Sequence, residues 1–217
     1  MTETPELART TIYRQLRADI LSCSLRPGSQ IQERELIERF SVSKSPIRDA
    51  LLKLEEQNLI EILPRKGYRV KPVSLTDARE LYDMRLILER ECVSRAMDQS
   101  DGALTVLDAY RVGPDSDDLS EWIAYNRHFH IEIADLCGNA RLSSVARDVI
   151  EQFDRLTYTS VSLTGPKGRA QFVGEHVAMI EAIMHRDRRH ALSLAKDHVE
   201  GAKRIVLETL EHPTIVP

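Results

Sequence analysis

Val42-Ser43-Lys44-Ser45-Pro46-Ile47-Arg48-Asp49-Ala50-Leu51 is the stretch on which the fold of this chain turns. It opens with small polar residues able to cap a helix and puts proline where first-turn amides have no intrahelical partner. Ile47, Leu51 and Leu54 then fall on one face. The spacing predicts a helix that starts near Ser45-Pro46, is capped by Ser43 or Ser45, and ends at Asn58. Upstream, Leu36, Ile37 and Phe40 predict a short helix over residues 32–40, and Ser41-Val42-Ser43 is the turn between the two. Further back, Ile12, Leu16, Ile20 and Leu21 predict a first helix that Arg26-Pro27-Gly28-Ser29 ends. Downstream, Leu59 to Leu63 and Tyr68-Arg69-Val70 flank Pro64-Arg65-Lys66-Gly67 as two short strands about a tight turn.

Helix, helix, turn, helix, hairpin is the order of a winged helix-turn-helix, here over residues 10–71, with residues 1–9 expected as a flexible tail. A reading helix of that kind needs an apolar back and a polar front concentrated at its N-terminus. Lys44, Ser45, Arg48 and Asp49 supply the front. Arg48 is the candidate for reading bases, because a guanidinium can give two hydrogen bonds to the acceptor pair of a guanine. Ser43 and Lys44 suit phosphates, and Arg34 opens the helix whose N-terminus crosses the backbone. Arg65 and Lys66 at the hairpin tip suit phosphates or a minor groove, and Gly67 permits the turn. The alternative for each is an ordinary solvated charge on a small helical domain.

Charge divides along the chain in the same sense. Residues 1–71 carry 13 Lys and Arg against 10 Asp and Glu, net +3, whereas the remainder carries 17 against 24, net −7. Only the first third has the sign that suits phosphates. Three cysteines, with no close pair in sequence, read as reduced thiols of a cytoplasmic protein. No apolar run is long enough to cross a bilayer, so no membrane partner is expected.

After a linker at 72–76, helical periodicity runs over about 77–99, 101–110, 117–137, 140–162, 168–186 and 188–211, where Thr76 or Asp77 can cap the first helix. Gly113-Pro114, Gly138-Asn139 and Gly165-Pro166-Lys167-Gly168 separate the later segments. The fold class is mainly α, with the winged helix-turn-helix followed by an all-helical antiparallel bundle over 77–212.

Asn126 and His130 lie one turn apart on one helix face. His176 falls among Val173, Val177 and Ile180, and His198 among Leu194, Ala195, Ala202 and Ile205. His128, His185, His190 and His212 have polar neighbours and read as surface residues. A single histidine on an apolar face is usually a satisfied core residue. Three on separate helices of one bundle need partners for their nitrogens, and a divalent metal satisfies all three in the neutral form. Zinc, nickel or manganese would suit, since imidazole-rich sites choose weakly among transition metals. A metal-dependent hydrolase is the rival from another class. Glu175 precedes His176, but adjacent helix positions face apart and no general base converges.

Glu33-Arg34-Glu35-Leu36, Val42 to Leu51, Leu54-Glu55 and Gly67-Tyr68-Arg69-Val70 closely resemble the winged helix-turn-helix of the GntR family of bacterial transcription regulators. Lys44 stands where that family usually carries arginine. The second domain resembles the FCD ligand-binding domain of the FadR subfamily, through Arg85-Leu86-Ile87-Leu88-Glu89, Asn126-Arg127-His128-Phe129-His130, Glu175-His176 and Asp197-His198. A single small reading head touches few base pairs, so a homodimer on a short palindromic DNA operator is expected, one recognition helix per half-site, with repression the expected sign and activation the alternative. The resemblance implies a metal held by one carboxylate and three histidines, and a small carboxylate effector on that metal with Arg85 toward the cavity. Asn126 departs from the usual aspartate, giving a weaker neutral ligand and a site one charge more positive. Some members bind an acyl-CoA without metal, and a bundle whose histidines are purely structural is the other alternative.

Overall fold

The computed structural model describes residues 5–211, apart from the side chains at 5–7, 159–164 and 166. The chain separates into two compact units, the first ending at Val73 and the second beginning at Ser74.

In the first unit α1 (Pro5–Leu21), α2 (Glu33–Phe40) and α3 (Lys44–Glu56) pack around Ile12, Leu16, Ile20, Leu36, Ile47, Leu51 and Leu54. Helix α1 begins at Pro5, earlier than the tail predicts, because Ala8 already belongs to the core at 8 % exposure. Residues 1–4 of the expected tail lie outside the described residues. Ser43 takes the N-cap position of α3 in extended conformation, but its side chain makes no capping bond, and Ser45 lies inside the helix. Strands β2 (Ile60–Leu63) and β3 (Gly67–Val70) form the expected hairpin, with Leu63 opposite Gly67.

A third strand was not legible in the sequence: β1 (Gln30–Ile31) pairs antiparallel with β3, giving the order β1-β3-β2. That strand explains Gly67. The reversal itself is made by Leu63 to Lys66, with Lys66 N–H donating to the Leu63 carbonyl and Arg65 at φ 65°. Gly67 follows at φ 88°, and a Cβ there would lie 2.9 Å from the Ile31 carbonyl oxygen. The glycine therefore admits both a left-handed backbone and the close approach of β1.

The second unit is all helical: α4 (Leu75–Ala96), α5 (Asp101–Leu104) with a 3-10 turn over Thr105–Tyr110, α6 (Leu119–Asp135), α7 (Ala140–Gln152), α8 (Asp154–Met184) and α9 (Arg188–Glu211). Ser74 caps α4 by accepting the Asp77 amide at 3.0 Å, in place of the expected Thr76 or Asp77. The segment expected as one helix over 140–162 divides at Phe153, which is 2 % exposed. The break expected at Gly165 is present as a kink inside α8, with Gly165 at φ 62° and ψ −167°.

The core of this unit gathers Val93, Ala96, Leu104, Leu107, Phe129, Ile133, Ile180, Ile183 and Ala195 from α4, α5, α6, α8 and α9. The α8–α9 turn is tied to the end of α4. Arg186 donates to the Met97 and Gln99 carbonyls, both at 2.7 Å, and Arg188 donates to the Ser94 carbonyl at 2.6 Å. Guanidinium groups thus serve carbonyls that a helix end leaves without partners. Helices α4, α6, α8 and α9 pack against one another, and each carries part of the site that follows. Among the described residues no helix is long and apolar enough to cross a membrane.

Candidate nucleic-acid face and metal centre

The polar front of α3 is exposed as the sequence predicts: Ser43, Lys44, Ser45 and Arg48 face solvent while Ile47, Ala50, Leu51 and Leu54 are buried. Arg34 is exposed on α2 and its Nε donates to Glu38 at 3.1 Å. Arg65 and Lys66 are exposed at the hairpin tip. Sequence reasoning missed Glu33, the first residue of α2. Its carboxylate accepts from Lys44 Nζ at 2.8 Å, from Arg48 Nε at 2.9 Å and from the Tyr68 hydroxyl at 3.3 Å. One carboxylate therefore joins α2, α3 and β3.

In the second unit the structure brings His130 on α6, His176 on α8 and His198 on α9 together, all buried, with one ring nitrogen of each within 4.8 Å of the others. Asn126, one turn before His130, lines the same cavity with Arg85, Tyr125, His176 and His198. His128, His185 and His190 are exposed as expected, and His212 lies outside the described residues. The cavity has about 20 Å³ of interior space, room for about one water-sized guest.

Hydrogen bonding fixes the tautomer of each ring. Glu89 accepts from His130 Nδ1 at 3.1 Å, and Glu175 accepts from His198 Nδ1 at 2.8 Å. Burial tends to raise the Glu89 carboxyl, but the Arg85 guanidinium and His130 hold it well below the usual carboxylate range. At Glu175 burial is likewise overcome, by the hydrogen bonds from His198 and Gln171, and its carboxyl is lowered. Ionised carboxylates only accept, so both Nδ1 atoms carry the proton. The Tyr125 hydroxyl spends its one proton on the Tyr110 carbonyl at 2.8 Å, so toward His176 Nδ1, 3.3 Å away, it can only accept. His176 Nδ1 is protonated in turn.

In the neutral form each ring is left with a bare Nε2. Those of His130 and His198 face each other at 3.2 Å, and that of His176 is buried with no partner among the described residues. Confronted lone pairs and an orphaned buried acceptor are costly unless a cation sits among them. Burial first, and the neighbouring Arg85, push His130 down to about 4 against the pull of Glu89, and burial pushes His176 well below its ordinary value, so protons do not fill the role on those two rings at neutral pH. The donor set fits a divalent ion. One cation is already close: Arg85 Nη2 lies 2.7 Å from His130 Nε2 while its Nε holds Glu89. A single lone pair cannot serve both, so an ion on His130 would require Arg85 to release it.

Glu89, Tyr125 and Glu175 were not singled out from sequence as site residues. For Glu175 the expectation that it faces away from the site is corrected: its carboxylate reaches across to His198 on α9. Nothing in the spacing along α8 signals a partner on another helix.

Two family descriptions match the chain: bacterial regulatory proteins, gntR family, over residues 8–70, and the FCD domain over residues 80–201. An uncharacterized HTH-type transcriptional regulator, YdhC of Bacillus subtilis (strain 168), is 29 % identical over 209 residues, covering 92 % of this chain and 86 % of that one. The HTH-type transcriptional repressor RspR of Escherichia coli (strain K12) is 29 % identical over 188 residues, covering 81 % and 78 %. Among solved structures, E. coli McbR/YncC matches with a TM-score of 0.78 at 17 % identity, covering 96 % of this chain and 99 % of that one. A putative GntR regulator from Rhodococcus sp. RHA1 matches with a TM-score of 0.75 at 21 % identity, covering 92 % and 97 %. At these identities the structural likeness establishes a shared fold.

Proposed function

This chain belongs to the gntR family of bacterial regulatory proteins and carries an FCD domain, and we propose that it is a repressor whose operator affinity is set by a small organic carboxylate at a metal ion in its second unit. It is a DNA-binding transcriptional regulator, as its relatives are, and not an enzyme. The finer reading rests on one observation: three buried imidazoles with their Nδ1 protons committed and a nitrogen of each within 4.8 Å of the others. Asn126, His130, His176 and His198 would hold zinc, nickel or manganese, Asn126 through its amide oxygen. A bound ion supplies positive charge and open coordination positions for a carboxylate.

The protein's own residues do the rest. Glu89 and Glu175 orient two of the rings, Tyr125 orients the third, and Arg85, once it leaves His130, offers the cavity a guanidinium for an anion. In the first unit Arg48 reads a base, Ser43 and Ser45 set register on phosphates, Lys44 joins them only on the operator, where a base engages Arg48, and Arg34, Arg65, Lys66 and the Gly67 turn engage the flanking backbone. A short palindrome would be met by two copies, one reading helix per half-site, in the cytoplasm. Elemental analysis of untagged protein tests the centre. About one metal per chain is expected, and His176→Ala should lose most of it. Protein that is metal-free, takes up no added zinc, nickel or manganese, and loses nothing with His176→Ala would leave the metal-free bundle as the reading.

A further inference from the structure

Glu33 sits beneath the reading face. Its side chain is 18 % exposed, whereas those of Lys44 and Arg48, which it binds, are each 55 % exposed. Burial raises its carboxyl, but the hydrogen bonds from Lys44 and Arg48 outweigh that and hold it below the ordinary range, so it is ionised at neutral pH. It also stands at the N-terminus of α2, where first-turn amides attract phosphate. An anion built into that position is expensive for plain phosphate binding.

The atoms engaged are informative. Arg48 meets Glu33 through Nε, which leaves the two terminal nitrogens to form the fork that matches guanine O6 and N7. Lys44 meets the other carboxylate oxygen through its ammonium, its only hydrogen-bonding group. A phosphate that would take Lys44 must share its ammonium with the Glu33 carboxylate, and one that would take Arg48 through Nε must displace that carboxylate; either way it sits beside the negative charge. A base edge carries no net charge and needs only the outer fork. We infer that Glu33 is a specificity-determining positioning residue, which neutralises Lys44 and the inner edge of Arg48 against non-specific DNA while presenting Arg48 to a base. The inference rests on Arg48 being the base reader.

The test uses the full chain and two duplexes, one selected by the wild-type protein from a randomised library, the other of the same composition in scrambled order. Affinities for both are measured by fluorescence anisotropy over a potassium chloride series. Glu33→Gln keeps the shape and removes the charge. It should bind the scrambled duplex about tenfold more tightly at low salt, with a log–log salt slope steeper by about one, while the ratio of selected to scrambled affinity falls. Lys44→Gln gives a second reading that does not depend on altering Glu33: with Glu33 present, it should leave the slope on the scrambled duplex unchanged. A slope shallower by about one would mean that Lys44 already serves phosphates there, and would overturn the inference.

Arg48→Ala separates the two levels. If it leaves discrimination at the wild-type value, the base-reading assignment fails and the role of Glu33 falls with it. If Arg48→Ala abolishes discrimination but Glu33→Gln leaves ratio and slope as in wild type, the role of Glu33 alone is wrong. A Glu33→Gln protein that weakens on both duplexes alike would show a purely structural residue and sink the inference too.

Discussion

Asn126 is the residue at which the candidate centre departs from the pattern it resembles, and a single substitution there sets two effects against each other. It lines the cavity with His176, His198 and Arg85, and its amide is a neutral ligand. Asn126→Asp adds one negative donor, so calorimetry should find zinc or nickel bound more tightly and small carboxylates more weakly. If the variant holds metal more firmly yet binds carboxylates as well as wild type, the net charge of the centre does not draw the effector. The three imidazoles were legible because each lies on an apolar helix face with no local partner. The groups that orient them were not, since Glu89, Tyr125 and Glu175 stand among ordinary helical residues and meet their histidines on neighbouring helices. On the DNA side, exposed cations could be read from the sequence. Glu33 could not, because a glutamate opening a helix already has a sufficient local reason in the helix dipole.

At the scale of elements, the hairpin gives the sharpest case of a local rule with a non-local cause. Gly67 reads as a turn residue, yet Arg65 occupies the left-handed turn position and Gly67 is required by β1. Gly67→Ala should therefore cost about 1 to 3 kcal/mol, since it combines a strained φ with a Cβ against backbone that cannot yield. Arg65→Gly relieves a left-handed non-glycine and should be neutral to slightly stabilising. Urea unfolding of the two variants checks both signs, and equal stability of Gly67→Ala and wild type would rule out β1 as the cause. Helices with a clear apolar stripe were legible, as was the break at Gly165. The two-residue β1 was too short to carry a period. The division at Phe153 arises where a buried aromatic turns the chain without a glycine or proline to announce it.

For the whole molecule, the proposed homodimer and the buried histidine centre each make a prediction in solution. Met84 and Ile87 on α4 and Val145 on α7 are 44 %, 66 % and 47 % exposed, and these two helices pack together. Exposed apolar side chains on two neighbouring helices fit burial against a second copy. Light scattering should then give twice the 24.7 kDa chain mass, and Ile87→Glu should shift it to the monomer; a wild-type monomer at working concentration would remove the dimer. The centre predicts how stability follows pH once metal is stripped with a chelator. His130 and His176 have lowered pKa values in the fold, so below their ordinary 6.5 the unfolded chain takes up protons that the folded one refuses. Stability is therefore greatest above about 6.5 and falls as the pH drops toward 4, where His130 begins to titrate in the fold. Glu89 acts in the same direction below 4.5, because its folded carboxyl is held down while the unfolded one protonates. The urea midpoint of stripped protein should decline steadily from pH 7 to 4. Protein loaded with zinc should decline more steeply, since protons and metal compete for the same nitrogens. A midpoint independent of pH in the stripped protein would mean that the histidines are not held neutral, and with them the lone pairs on which the centre depends.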